Sequence, residues 1–304
     1  MIHAKRVLWT VLLAAAVFPV AARAQEGRGD VIYVPTPQVV VDEMLKMAKV
    51  GPSDYVIDLG SGDGRIVITA AKKFGARGFG VDLDTYLLKE ARTSAKKEGV
   101  ADRAQFFERN LFETDLSPAT VITSYLLPEM NQKLRPKLLA LKPGTRVVTH
   151  DYDLGEWLPD EQKTLIVPEK TVGDPGKSYI FFYIVPATIA GQWESLIPVG
   201  GRGVIYEFDF DQGFQQVSGD VRVDGKEARL PLFKVRGDQV SFEVDVAQGA
   251  GLVKHRFQGR IQRDAIEGTA TIGSGQKPQK WTARLKKRGE LRVSALDAAE
   301  SVLR

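Results

Sequence analysis

A carboxylate and three glycines at alternate positions form the stretch of the chain best suited to bind a ligand: Asp58, Gly60, Gly62 and Gly64. Glycines at every second position let a backbone turn sharply and approach a ligand without an intervening Cβ atom. Residues 55–57 predict a buried strand before this loop, and the apolar run 66–71 predicts a helix after it. Such a unit directs free backbone N–H groups toward whatever lies on the loop. The spacing matches neither the G-x-G-x-x-G of dinucleotide loops nor a P-loop, which ends in Lys-Ser or Lys-Thr.

A second acidic residue, Asp82, lies 22 residues after Gly60, at the end of a predicted strand at 78–82. In nucleotide-binding βαβ units an acidic residue at this place accepts hydrogen bonds from both ribose hydroxyls. The alternative is that Asp82 or Asp84 caps the following helix, predicted at 86–97. Because Asp84 is closer to that helix, we assign the cap to Asp84 and the ribose to Asp82.

The elements that must position these residues alternate between strand and helix as far as residue 185. Pro35 and Pro37 keep the segment 31–37 extended, and apolar residues then recur at helical spacing. Further strands are predicted at 104–108, 121–128 with its exit loop, and 145–149, with a closing antiparallel pair at 164–167 and 179–185. This alternation predicts an α/β, Rossmann-like domain at 25–186 with a mostly parallel, doubly wound sheet.

The pattern changes after Pro186, where strand-like runs recur about every ten residues between turns rich in Gly and Asp. Polar and apolar residues alternate in the segments 204–210 and 240–246, so each strand is expected to bury one face. Residues 187–290 are therefore predicted to form an all-β, antiparallel, barrel-like domain. The tail at 291–304 has helical periodicity.

Two tryptophans mark the first and last strands of this predicted barrel. The sequence Gly191-Gln-Trp193 resembles the Gly-x-Trp opening of lipocalin-like barrels. Trp193 and Trp281 either meet across a barrel seam or are two ordinary core residues. His255, on a strand with polar alternation, is expected to face the solvent.

The N-terminus has the pattern of a secretory signal at 1–24. Lys5 and Arg6 form a charged region, an apolar run follows, and Ala22-Arg-Ala24 fits an A-x-A cleavage site. We expect cleavage after Ala24, export to the periplasm or the medium, and no permanent membrane span in the mature chain. A retained N-terminal anchor is the alternative, although the run is short for one.

The charge balance and the absence of cysteine limit which binding partners and which disulfide or metal sites are expected. Loss of Lys5, Arg6 and Arg23 with the signal lowers the 42 lysine and arginine residues to 39, against 38 acidic ones. A net charge near zero predicts no nucleic-acid partner. The chain has no cysteine, which excludes disulfides and thiolate zinc sites.

Residues 31–185 resemble the class I, seven-strand S-adenosylmethionine (SAM) methyltransferases. Within that class they resemble the family that includes the ATP synthase c-subunit lysine methyltransferase. The resemblance rests on Tyr33-Val-Pro35, on Val40-Val-x-x-Met-Leu45 and on the run from Asp58 through Gly64-Arg-Ile-Val67. It covers about half of the chain and does not extend to the predicted β domain.

The resemblance implies SAM as cofactor and a role for each motif residue. The amino-acid end of SAM would lie against Asp58, Gly60, Ser61, Gly62 and Gly64. Asp82 would hold the ribose, and Leu83 and Leu111 would flank the adenine ring. Asn110 replaces the Asp that usually meets the adenine amino group, but its side-chain oxygen still accepts that hydrogen bond.

The resemblance also implies methyl transfer to an amine of a protein lysine or of a small molecule. Candidates to line the acceptor slot are Tyr33, Ser124, Tyr125 and Pro128. The Tyr125 hydroxyl could orient the amine, with core packing as the alternative role. His150, with Asp151 and Asp153, could act as a base or bind a metal, but one His and two carboxylates this close in sequence rarely converge on one ion, so no metal site is predicted.

The predicted export conflicts with the predicted cofactor, because SAM is made in the cytoplasm. An alternative is therefore an exported binding or scaffolding protein that retains the methyltransferase fold without turnover. The intact Asp58, Asp82 and glycines favour retained cofactor binding. A third reading, a small-molecule-binding lipocalin-like barrel, rests on the Gly-x-Trp motif alone.

Overall fold

The computed structural model describes residues 33–249, 251–273 and 275–293. The predicted signal at 1–24 and most of the predicted tail lie outside these residues. The helices are α1 (Gln38–Met47), α2 (Arg65–Phe74), α3 (Thr85–Lys97) and α4 (Pro128–Leu139). The strands of the first half are β1 (Tyr55–Leu59), β2 (Arg77–Asp82), β3 (Ala104–Glu108), β4 (Val121–Ser124), β5 (Arg146–His150), β6 (Glu161–Ile166) and β7 (Lys177–Ile184).

These seven strands form one sheet in the order β3-β2-β1-β4-β5-β7-β6. Strands β1 to β5 pair in parallel, and β7 lies antiparallel between β5 and β6. Because β1 has β2 on one side and β4 on the other, the chain reverses its direction of winding there, and a crevice opens at the carboxyl ends of these strands.

Both faces of the sheet are covered, since successive strand residues point to opposite sides. Val56 packs with Val41 and Met44 of α1, whereas its neighbour Ile57 packs with Leu134 of α4 on the other face. The near-continuous apolar strands of the sequence reflect this double burial. The predicted Rossmann-like fold is confirmed.

The second half is a closed barrel, built from β8 (Gly191–Val199), β9 (Arg202–Gly213), β10 (Gln216–Val223), β12 (Phe233–Arg236), β13 (Gln239–Gln248), β14 (Gly251–Gln262), β15 (Ala265–Ile272) and β16 (Gln279–Arg288). The short strands β11 (Lys226–Ala228) and β17 (Leu291–Arg292) are attached at its edges. Pairing of β9 with β10 closes the ring. The predicted antiparallel barrel is confirmed.

Aromatic side chains fill the barrel interior. Phe257 is fully buried, and its ring centroid lies 5.0 Å from those of Phe242 and Trp281 and 5.7 Å from that of Phe208. Such a packed interior differs from the open cavity that a small-molecule carrier needs. The barrel contributes a core of its own.

The strand register corrects the prediction for His255 and decides between the two alternatives for the tryptophans. His255 is buried, because it shares the inward side of β14 with Phe257, and its Nδ1 lies 2.9 Å from the Tyr206 hydroxyl. Trp193 and Trp281 occupy adjacent paired strands, but Trp193 is opposite Leu285. Each indole N–H donates to a backbone carbonyl nearby, so both are ordinary core residues.

The described part of the tail also differs from the helical prediction. Leu291 and Arg292 form a strand that pairs in parallel with β9, opposite Gln212 and Gly213. Residues 294–304 of the tail lie outside the described ranges. Helical periodicity over so short a segment is overridden by the open edge of a neighbouring strand.

The barrel contacts the first domain at the sheet edge opposite the crevice. Arg236 pairs with Glu161 at the start of β6 at 2.9 Å, and the Gln215 side chain donates to the Leu158 carbonyl at 2.6 Å. The carboxyl edge of the sheet therefore stays clear of the barrel. Across the described ranges, none of the helices is both long enough and apolar enough to cross a membrane.

We expect Phe257→Ala to lower the free energy of unfolding by about 3–5 kcal/mol, because it leaves a cavity among four packed rings. Leu252→Ala, on the same strand but 63% exposed, should change it by less than about 0.5 kcal/mol. Urea denaturation measures both, and SAM affinity should be unchanged in each. A cost below about 1 kcal/mol for Phe257→Ala would contradict the packed-barrel interior.

Candidate functional site

A cavity of about 390 Å³ lies at the carboxyl ends of β1 to β4. Its lining includes these residues singled out from the sequence: Tyr33, Asp58, Gly60, Ser61, Asp82, Leu83, Asn110, Leu111 and Tyr125. They come from four strand ends and the N-terminal segment, and the parallel pairing brings them to one edge. Gly62 and Gly64 lie behind this lining, in the loop itself. Sequence reasoning gave no role to Arg109 and Lys133, which also line the cavity.

The glycine loop needs its glycines for backbone conformation and for close packing. All three have positive φ angles, +73° at Gly60, +51° at Gly62 and +78° at Gly64. A Cβ atom on Gly62 would lie 2.3 Å from the Tyr33 ring, and one on Gly64 would lie 2.5 Å from the Phe106 ring. Any side chain at either position would therefore both strain the backbone and displace a neighbour.

Asp58 ends in a fully buried carboxyl group that accepts a hydrogen bond from the Thr123 hydroxyl at 2.7 Å. Burial raises the pKa of Asp58 to about 7, and the neighbouring charges of Asp82 and Asp63 act in the same direction. A cationic group entering the cavity would reverse this shift, because it favours the ionised carboxylate. Asp58 is thus suited to hold an ammonium group.

The sequence assigns the helix cap to Asp84 and the ribose to Asp82, and the structure confirms the cap. Asp84 accepts from the backbone N–H groups of Tyr86 and Leu87, at 2.9 and 3.1 Å, and so caps α3. Asp82 lines the cavity and accepts from the N–H groups of Gly62 and Asp84, at 2.8 and 3.0 Å. Its remaining lone pairs are available for a diol.

Asn110 is held in a turn rather than pointing freely into the cavity. Its side-chain oxygen accepts from the Phe112 N–H at 2.9 Å, and its amide donates to Glu113 at 3.3 Å. A second lone pair on that oxygen remains for an adenine amino group. Leu83 and Leu111 supply apolar lining on the same side.

The N-terminal segment closes one side of the cavity. The Arg65 guanidinium pairs with Asp63 at 2.6 Å and donates to the Thr36 carbonyl at 2.8 Å. The Tyr33 ring lies on Gly62, and burial and the Asp63 charge raise the pKa of its hydroxyl. Sequence reasoning missed Asp63 and Arg65, although both lie inside the glycine motif.

Of the residues proposed to line the acceptor slot, Tyr33 and Tyr125 line the cavity, whereas Ser124 and Pro128 do not. Tyr125 follows β4, its ring centroid lies 4.1 Å from that of His150, and its hydroxyl donates to Asp151 at 2.9 Å. Ser124 is buried at the end of β4, and Pro128 is the first residue of α4, outside the cavity lining. A proline there fits because the first helical N–H needs no partner. Pro128 therefore serves the helix start.

His150 is a structural residue rather than an accessible base. It is fully buried, with Nδ1 3.2 Å from the Thr36 hydroxyl and Nε2 3.1 Å from the Ser178 hydroxyl. Burial lowers the pKa of His150 to about 4, so the ring is neutral at physiological pH. It connects the N-terminal segment to β5 and β7.

A second cavity, of about 370 Å³, adjoins the first. Val34, Arg65 and Tyr125 line both. The second is otherwise lined by Pro35, Pro37, Gln38, His150, Glu169, Lys170, Thr171 and Val172. Tyr125 thus stands where the two cavities meet.

The residues present fit SAM. The Ser61 hydroxyl is buried beside the cavity and has no hydrogen-bond partner among the described residues. Asp58 offers a carboxylate for the ammonium group, and Asp82 offers one for the ribose. An unpaired buried hydroxyl of this kind normally marks a site that a ligand or water completes.

We expect SAM affinity to fall as the pH drops below about 7, since binding the ammonium group requires an ionised Asp58. Because the folded-state pKa lies above the ordinary value of 3.8, the carboxyl stabilises the free protein at low pH and loses this effect as the pH rises through 7. Asp58→Asn should therefore stabilise the free protein at pH 8 by roughly 1–4 kcal/mol while abolishing SAM binding. Calorimetric titration and thermal unfolding at pH 6 and 8 measure both effects; pH-independent affinity would contradict this role.

Gly62→Ala should weaken SAM binding at least tenfold, because the new methyl group displaces Tyr33. Gly99→Ala is the control, since Gly99 also has a positive φ, of +68°, but has no atom within 4 Å of the added Cβ. Gly99→Ala should cost about 1 kcal/mol of stability and leave affinity unchanged. Combining Gly62→Ala with Tyr33→Ala relieves the clash, so affinity in that double variant should match Tyr33→Ala alone. A further loss would show that strain of the loop, and not Tyr33, carries the effect.

Residues 58–161 match the family described as the ANTKMT methyltransferase domain. A protein-lysine N-methyltransferase of Saccharolobus islandicus (strain REY15A) is 50% identical over 131 residues, covering 42% of this chain and 81% of that protein. A lysine N-methyltransferase of the ATP synthase c-subunit, from Xenopus laevis, is 34% identical over 129 residues, covering 42% of this chain. The chain spans only 56% of that second protein.

A solved structure is also similar in sequence, that of an RNA methyltransferase from Salinibacter ruber in complex with S-adenosyl-L-homocysteine. It is 50% identical and covers 51% of this chain and 96% of its own, with a TM-score of 0.46. Identity of 50% over four fifths of the Saccharolobus islandicus protein shows the family, and the cofactor is SAM. A non-catalytic role for the fold is not favoured. The chain belongs to the SAM-dependent protein-lysine N-methyltransferases.

Proposed function

We propose that this chain methylates the side-chain amine of a lysine in a protein, at the junction of the two cavities. The observation that carries the proposal is the position of Tyr125, which lines the cofactor cavity and the adjoining cavity together. A hydroxyl at that junction can meet an amine that approaches from one side while the cofactor occupies the other. The family membership supplies the reaction class.

Methyl transfer of this kind depends on alignment rather than on covalent help from the protein. Bound SAM supplies a methyl group on a sulfonium, whose C–S electron pair stays on sulfur as the amine lone pair forms the new N–C bond. The protein must fix the cofactor and admit a neutral amine. Asp58, Asp82 and the glycine loop serve the first task.

The second cavity is suited to admit a lysine side chain. Val34, Pro35, Pro37 and Val172 give it apolar walls, which favour the neutral form of an entering amine by lowering its pKa. Glu169 is exposed at this cavity and can attract the lysine while it is still charged. The proton released on neutralisation passes to solvent, directly or by way of this carboxylate.

A carboxylate beside the acceptor cavity favours a cationic acceptor over a polyanion. The two cations in the same lining are both paired already, Lys170 with Asp151 at 2.7 Å and Arg65 with Asp63 at 2.6 Å. An RNA acceptor, which the name of the Salinibacter ruber relative raises, would instead need unpaired basic residues there. We therefore propose protein lysine as the acceptor class, and a free small amine as a secondary substrate.

We also propose that the enzyme acts after export. The support is the sequence pattern at residues 1–24, with its charged start, apolar run and Ala22-Arg-Ala24 site. N-terminal sequencing of the protein from its native cell should find Gln25 first. A chain that begins at Met1 would contradict release by cleavage of this signal.

The acceptor class can be tested with radiolabelled SAM and three polymers: poly-L-lysine, poly-L-arginine and an unstructured RNA. We expect label only in poly-L-lysine, and Tyr125→Phe should lower kcat for it by about 10- to 100-fold while SAM affinity stays unchanged. The substitution removes one hydroxyl and keeps the ring that packs on His150. Label in RNA alone, or SAM binding without transfer to poly-L-lysine, would contradict the proposal.

A further inference from the structure

A buried ion pair lies directly behind Tyr125. The Lys170 ammonium is 2.7 Å from the Asp151 carboxylate, and the two side chains are only 4% and 5% exposed. Lys170 comes from the loop between β6 and β7, and Asp151 follows the last residue of β5. Because β6 runs parallel to β5, this loop returns to the carboxyl edge of the sheet, where the cavities are.

Hydrogen bonds to Tyr179 hold Asp151 in an unfavourable backbone conformation. Its φ angle is +61°, in the left-handed region that non-glycine residues seldom adopt. Its backbone N–H donates to the Tyr179 carbonyl at 2.7 Å, and its Oδ1 accepts from the Tyr179 N–H at 3.1 Å. A strained residue in a buried ion pair adds little to stability, because desolvation offsets the attraction. Stability alone does not account for the arrangement.

The other carboxylate oxygen determines where the Tyr125 proton points. Asp151 Oδ2 meets both the Lys170 ammonium and the Tyr125 hydroxyl, which donates to it at 2.9 Å. A hydroxyl has one proton, so the Tyr125 oxygen has only lone pairs left for the cavities. Burial and the nearby Asp151 charge also raise the pKa of Tyr125, which keeps that proton in place.

We propose that Asp151 and Lys170 are positioning residues that fix the Tyr125 hydroxyl as a hydrogen-bond acceptor for the incoming lysine amine. An amine that donates an N–H to Tyr125 keeps its lone pair free for the methyl group. A hydroxyl free to rotate would instead donate to that lone pair and block it. The inference rests on the proposed function and adds two residues that act through Tyr125.

The variants must separate this role from simple loss of a buried pair. Asp151→Asn alone leaves Lys170 buried and uncompensated, which risks misfolding. The double variant Asp151→Asn/Lys170→Met removes both charges at similar volume. Its control is Asp54→Asn/Arg146→Met, which removes an ion pair between Asp54 and Arg146 at the opposite edge of the same sheet. Both variants should lose comparable thermal stability.

With poly-L-lysine as acceptor, Asp151→Asn/Lys170→Met should lower kcat at least tenfold, with SAM affinity unchanged by calorimetry. The control variant should keep kcat within about twofold of wild type. In a Tyr125→Phe background, Asp151→Asn/Lys170→Met should have no further effect on kcat, because the hydroxyl it orients is already gone. A wild-type kcat in Asp151→Asn/Lys170→Met would overturn the inference. A further loss of kcat when this double variant is combined with Tyr125→Phe would overturn it as well.

A second readout needs neither cofactor nor turnover. In protein labelled with ¹³C at tyrosine Cζ, the Tyr125 resonance reports whether its hydroxyl donates, and Tyr125→Phe identifies it. Asp151→Asn/Lys170→Met should shift this resonance, and Asp54→Asn/Arg146→Met should not. If Asp151→Asn/Lys170→Met leaves the resonance unshifted, the inference is refuted even if poly-L-lysine is methylated. If it shifts the resonance but the wild-type enzyme transfers no methyl group to poly-L-lysine, the proposed function is refuted instead.

Discussion

The parallel pairing of β1 with both β2 and β4 is the constraint on which the site depends. Together with the parallel pairing of β2 with β3, it fixes four strand ends at one edge, so that the carboxylates of Asp58 and Asp82, the turn at Asn110 and the Tyr125 ring surround one cavity. Their convergence is a property of the sheet, and α1, α2 and α4 stabilise it by covering both faces.

Two further parts of the chain, the N-terminal segment and the barrel, contact this domain outside the sheet. The N-terminal segment lies over the glycine loop, through Tyr33 on Gly62 and Arg65 on the Thr36 carbonyl, and separates the cofactor cavity from solvent on that side. The barrel, in contrast, contacts the amino ends of the strands. The two cavities lie at the other ends of the strands, away from these contacts.

Local spacing made much of this predictable from sequence. The glycines, the acid at the end of β2 and the Asp84 cap lie within a few residues of the elements they serve. Asp151 and Lys170 could not be paired in this way, because their contact depends on the return of the loop after β6 to the edge of β5. His255 was misplaced for a related reason: only the register of β14 decides which of its faces points inward.

A crystal structure of the chain with S-adenosyl-L-homocysteine tests the central claim most directly. The account predicts the ligand in the cavity at the carboxyl ends of β1 to β4, with the Asp82 carboxylate hydrogen-bonded to its ribose hydroxyls. Its sulfur should face Tyr125 and the second cavity. Ligand bound in the barrel, or in the first cavity with Asp82 out of contact and the sulfur turned away from Tyr125, would contradict the account.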